Sequence, residues 1–196
     1  MAKVHHGIGQ FLALLATLAS VPSVSDAADA PAFVGLNAIA IGASSRADLA
    51  IGMIEARATL SPHVAITVAP TILAIEGGDT EHQLRAGFTL SAPLGRLHLD
   101  DRNMWVFSDA GTTRFRNRLR LTAPVELGAH TLRFQLLDEI FYEEGGRGWF
   151  RNMYGVGVGL DVSRSVSVDA YFTQQEDRHR EPASLFFIVL VARVIE

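Results

Sequence analysis

The sequence predicts an all-β fold: an antiparallel, up-and-down transmembrane β-barrel of about ten strands that follows a cleaved signal peptide. Three observations carry this. Residues 114–121 read RFRNRLRL, which in a strand puts Arg114, Arg116, Arg118 and Arg120 on one face. Phe115, Leu119 and Leu121 take the other face, with Asn117 the exception. Ten segments of this period recur, most about ten residues long, the length a tilted strand needs to cross a bilayer. Their connections alternate between short turns and longer, more polar loops, as a meander through a bilayer requires.

Taken in order, the N-terminal residues are expected to be removed. Residues 1–6 are short and carry Lys3, residues 11–19 form an apolar run too short to span a bilayer, and small residues follow. This is the layout of a secretory signal. Ser25 and Ala27 are small residues at the positions a signal peptidase reads, whereas a cut after Ala30 would leave Pro31 next. Cleavage is therefore expected after Ala27, giving a signal peptide of residues 1–27 and one barrel domain of residues 28–196. The alternative is a buried N-terminal helix.

The strands are expected at residues 32–41, 49–60, 64–75, 83–93, 97–107, 114–124, 131–142, 152–162, 166–175 and 184–194. Tight turns fall at 61–63, 94–96 and 163–165, with a slightly longer one at 125–130. The loops between them are 42–48, 76–82, 108–113, 143–151 and 176–183. Parity holds strand by strand: Leu84, Ala86, Phe88, Leu90 and Ala92 oppose Gln83, Arg85, Gly87, Thr89 and Ser91. In the ninth strand Val166, Val168, Ala170 and Phe172 oppose Ser167, Asp169, Tyr171 and Thr173. Trp105, Phe107, Phe115, Tyr142, Trp149, Phe150, Tyr154 and Phe172 cluster toward the long-loop ends, where an interfacial aromatic girdle would lie. In the eighth strand Gly155, Gly157 and Gly159 point opposite to Tyr154, Val156, Val158 and Leu160, leaving interior space beside long arginines.

Composition narrows the class. The chain has no cysteine, which excludes a disulfide scaffold, a thiolate zinc site, a cysteine nucleophile and an acylated lipoprotein terminus. Its formal charge of −4 does not point to a nucleic-acid partner. The histidines at 63, 82, 98, 130 and 179 show no metal-ligand spacing, and no cofactor motif is present.

Several segments resemble the domain of unknown function 2490 family. They are RFRNRLRLTAPV at 114–125, LLDEIFYE at 136–143, RNMYGVGVGLDVSRSVSVDAYF at 151–172, and Gln174-Gln175. The resemblance implies an outer-membrane β-barrel of a Gram-negative bacterium, and little about activity. It also implies outer-membrane lipid and lipopolysaccharide as surroundings and the barrel-assembly machinery as a partner during insertion. Two departures stand out. Asn152-Met153 replaces the usual Asn-Arg, and the chain ends Val194-Ile195-Glu196 where the family resembles an assembly signal with a terminal aromatic residue.

Parity then assigns a lumen network of Glu55, Arg57, Arg85, Arg102, Arg114, Arg116, Arg118, Arg120, Arg133, Glu139 and Asp169, with His98, Asp100 and Asp161 beside them. Arginines outnumber carboxylates in this set. Charges in a narrow lumen should pair, which predicts a non-enzymatic barrel filled by an ion-pair network. The alternatives are a small anion-preferring channel or anionic-ligand barrel, a periplasmic lipid carrier with an apolar interior, and a lipid-modifying hydrolase. The carrier draws on residues 185–194, apolar on both faces, and the hydrolase on His82 with Asp79 or on His179 with Asp177 and Ser184. Asp138 breaks the alternation, so a bulge near Leu137 or a position above the bilayer is expected.

Overall fold

Residues that alternate in polarity form strands, and here the alternation is long enough to build the whole molecule. The computed structural model describes residues 32–44, 48–128, 130–146, 148–163, 165–178 and 180–195, so the expected signal peptide and His179 lie outside the described residues. The strands are β1 (Ala32–Ser44), β2 (Asp48–Ser61), β3 (Val64–Ile75), β4 (Glu81–Leu94) and β5 (Leu97–Ser108). They continue with β6 (Thr113–Leu127), β7 (His130–Glu143), β8 (Gly148–Asp161), β9 (Val166–Asp177) and β10 (Ala183–Ile195). Each pairs antiparallel with its sequence neighbours. The sheet closes where β1 meets β10, from Val34 opposite Ile195 to Ser44 opposite Leu185.

The two faces are inverted relative to a water-soluble sheet. Ala65, Thr67, Ala69 and Thr71 of β3 are buried while Ile66 and Val68 are exposed. On β7, Gln135 and Glu139 are buried while Phe134 and Leu136 are exposed. Ser167, Asp169 and Thr173 of β9 are likewise inside, and Phe186, Ile188 and Leu190 of β10 outside. Polar groups within and large apolar groups without suit a wall solvated by lipid tails.

Most strands run past their expected ends, so the long loops shrink. Only residues 76–80, 109–112, 144–147 and 178–182 connect strands at that end among the described connections. The polar residues there keep the inward parity and continue the ladder: Glu143 pairs with Gly148 and Arg114, and Arg151 with Asp177. At the other end Gly128, with φ of 64°, lets β6 turn into β7 within residues 128–129.

Two local expectations are narrowed: of the alternatives for Asp138 the bulge is overturned, and one aromatic residue leaves the girdle. The β6–β7 ladder runs without interruption past Leu137, and Asp138 faces outward between Leu119 and Tyr154, so no bulge forms there. It belongs to a polar patch on the outer wall in which the Asn117 amide donates to Asp101 (2.5 Å) and Asn103 (2.9 Å). The register shift of β7–β8 lies instead between Phe141 and Tyr142, where Phe150 is the extra residue. Phe150 is thereby buried and leaves the girdle. Trp105, Phe107, Tyr142, Trp149, Tyr154 and Phe172 stay exposed, with Trp105 edge-on to Phe115 and Tyr142 edge-on to Trp149.

The inward glycines of β8 are filled, but not by the arginines of β6. A Cβ on Gly157 would lie 2.5 Å and 2.6 Å from the Tyr171 ring. One on Gly159 would meet the Asp169 carboxylate, the Arg133 guanidinium and the Gln135 amide. Gly157→Val therefore has to displace a buried ring, and it is expected to lower stability by about 1–3 kcal/mol in urea titrations of the folded barrel. Adding Tyr171→Ala should restore part of the loss.

Candidate functional site

The charged interior follows from strand parity, because directly paired residues share a face. Arg102 on β5 lies opposite Arg118 on β6, which in turn lies opposite Glu139 on β7. Asp100 lies opposite Arg120, and Arg114 opposite Glu143. Three tiers result.

At the loop end, Arg114 donates to Glu143 (3.2 Å) and to Glu81 (3.1 Å). Arg151 donates to Asp177 (2.6 Å), which also accepts from Gln175 (2.9 Å). The Phe141 ring lies between two cations, with the Arg116 and Arg151 guanidiniums 5.4 Å and 5.6 Å from its centroid.

In the middle, Arg116 forks onto Glu139, its Nη2 at 2.9 Å, and the Glu139 side chain is only 1% exposed. A bidentate guanidinium–carboxylate pair is among the strongest contacts available to these groups. Arg102 reaches across the lumen to Glu55 on β2 at 2.6 Å. Arg85 donates through Nε (2.9 Å) and Nη2 (2.7 Å) to the Gln83 carbonyl oxygen. The Gln83 amide passes a hydrogen bond on to Glu81 (3.1 Å), which links this tier to the one above.

At the turn end, Asp100 accepts from Arg120 (2.8 Å) and Ser91 (2.7 Å), with His98 at 3.1 Å. On the opposite wall Arg133 pairs with Asp161 and with Asp169 (2.8 Å). Asp169 also accepts from the Gln135 amide (3.0 Å), whose oxygen accepts from the Tyr171 hydroxyl (2.8 Å).

The structure thus brings together Glu55, Arg85, Arg102, Arg114, Arg116, Arg118, Arg120, Arg133, Glu139 and Asp169. Arg57 shares the parity, opposite buried Thr67, and His98 sits at the rim with a half-exposed ring. Sequence reasoning missed Glu81, Gln135, Glu143, Arg151, Tyr171 and Asp177 as partners in this network. Glu143 and Arg151 fell in an expected loop, and extending the odd-numbered parity of β7 and β8 by one or two residues would have found them.

The interior is not apolar, which excludes the arrangement expected of an inside-out lipid carrier. One wall does carry apolar groups: Phe187 stacks on Tyr171 at 5.0 Å, and Val189 lies opposite Asp169. Two of the residues considered for hydrolysis have other partners. Asp177 holds Arg151, and the Ser184 hydroxyl accepts from Gln174 at 2.7 Å.

Among solved structures, the chain is similar to the NanC porin, at 9% identity over 80% of this chain and 98% of the porin, with a TM-score of 0.50. A designed transmembrane β-barrel matches at 10% identity over 84% of this chain and 97% of its own, TM-score 0.43. An outer membrane channel from Pseudomonas putida F1 matches at 8% identity over 89% and 99%, TM-score 0.46. The likeness to the NanC porin is one of fold. No curated protein matches the sequence. The model of the family described as "Protein of unknown function (DUF2490)" matches residues 44–184, most of the chain and more than the segments that first suggested it; the chain belongs to this family.

Proposed function

We propose that this protein is a non-enzymatic outer-membrane β-barrel of a Gram-negative bacterium whose narrow lumen is closed by an arginine–carboxylate network. In this reading residues 1–27 direct export and are removed, the barrel-assembly machinery inserts the remainder, and outer-membrane lipid and lipopolysaccharide surround the wall. The observation that carries it is the Arg116–Glu139 pair, bidentate and almost wholly buried at mid-lumen. Ion pairs on both sides of it join neighbouring and distant strands, so the same contacts that fill the lumen also brace its wall. A narrow anion path is the second reading, favoured by arginines that exceed their carboxylates in the middle tier.

Three measurements decide. Detergent-dependent extraction with heat-modifiable gel migration is expected, and recovery in osmotic-shock fluid would overturn the membrane reading. In planar bilayers the wild-type barrel should be silent, while Arg116→Ala with Glu139→Ala should produce discrete conductance steps; steady anion-selective current from the wild type would favour the second reading instead. Glu139→Ala alone strands a buried guanidinium and should cost about 3–5 kcal/mol in urea unfolding followed by tryptophan fluorescence. Glu81→Ala, near the loop end, should cost no more than about 1 kcal/mol.

A further inference from the structure

The middle tier is not neutral. Among the described residues its guanidiniums are Arg85, Arg102, Arg116 and Arg118 and its carboxylates are Glu55 and Glu139, with the Arg120–Asp100 pair of the turn end adjoining them. Two positive charges are left over. Arg116 occupies Glu139, Arg102 occupies Glu55, and Arg120 occupies Asp100. Arg85 has the neutral Gln83 oxygen. Arg118 has no hydrogen bond or ion pair among the described residues: Glu139 lies opposite it on β7 but is held by Arg116, and Arg102, Arg116 and Arg120 are its cationic neighbours.

Its surroundings are short of acceptors, too. The Nε groups of Arg102 and Arg120 are buried N–H donors with no hydrogen-bond partner. Arg102 is the direct cross-strand partner of Arg118, and Arg120 follows it by two residues on the same face of β6. Directly opposed side chains sit with Cβ atoms about 5 Å apart, where like charges destabilise the pairing. Unpaired buried donors add to that cost. One acceptor-rich anion placed among these three residues would remove both penalties at once.

We infer that the mid-lumen is an oxyanion-binding site, in which Arg118 and the Nε groups of Arg102 and Arg120 hold a phosphate- or sulfate-type anion. A tetrahedral oxyanion presents several acceptors in different directions, which suits converging donors from two strands. The packed lumen selects a small free anion over a bulky one, since the Glu139 side chain beside it is nearly inaccessible. The site rests on the inward network of the proposed function, but not on whether the barrel conducts.

The test uses the whole chain refolded in a phosphate-free detergent, with the midpoint of its heat-modifiable gel transition measured in chloride, sulfate and phosphate at matched ionic strength. Sulfate and phosphate should raise the wild-type midpoint by about 5 °C over chloride. Arg118→Gln should abolish that difference, each midpoint being compared with the variant's own value in chloride. Arg96→Gln, in an exposed turn, should keep it. A difference that survives in Arg118→Gln would be the general effect of these salts and would overturn the site. Should that variant fail to fold, saturable binding of radiolabelled phosphate to the wild-type barrel is expected, and none bound would overturn the proposal. Conductance in bilayers reads the closed-lumen reading independently: a conducting barrel with an intact oxyanion shift would sink that reading and leave the site standing.

Discussion

The rest of the structure depends on closure of the sheet. A backbone N–H or C=O facing lipid has no water to bond, so a β-structure spans a membrane only when its first and last strands pair. The β1–β10 ladder does this from Val34 to Ser44 on one side and from Ile195 to Leu185 on the other. Once closed, every strand has an inner and an outer face, and residue parity becomes a choice between lumen and lipid. The inversion of polarity between the faces of β3, β7 and β9 is the consequence.

A barrel of ten strands encloses a space barely wider than the side chains that enter it. Long cations from β4, β5, β6 and β7 therefore keep only a minor part of their surface in water, and their energy depends largely on finding acceptors within the lumen. The two ends meet this with acidic partners: Arg114 has two carboxylates, and Arg133 has Asp161 and Asp169. The glycines of β8 contribute to one of these solutions, since their missing side chains make room for the Tyr171 ring and for the Arg133–Gln135–Asp169 cluster. Gly159 could not carry a side chain without displacing a charged partner.

What was legible in the sequence was whatever depends on period two. Alternation in RFRNRLRL puts four arginines on one face without knowledge of any partner, and β3 begins and ends where its pattern does. Partnership was harder to read, because it depends on the register between strands distant in sequence. Nothing local to Glu55 announces Arg102, which reaches it from β5. Strand ends were also obscured: polar residues such as Glu143 and Arg151 look like loop in isolation and join the ladder only because the opposite strand is there. Asp138 misled for a related reason. A carboxylate on the outer face contradicts simple alternation, yet the ladder through it is regular and Asp101, Asn103 and Asn117 share its wall.

The middle tier separates occlusion from recognition. A lumen that only needed to be shut would be served by apolar packing, which is cheaper than buried charge and which β10 already supplies with Phe187. If charge were used simply to brace the wall, each cation would be matched, as happens at both ends. In the middle, matched pairs flank an unmatched arginine, and the donors nearest to it are themselves unfilled. The paired residues hold Arg102 and Arg120 in place without exhausting their donors, so the unmatched position is pre-formed instead of merely left over. An arrangement of that kind costs stability in an empty barrel and returns it only when an anion arrives.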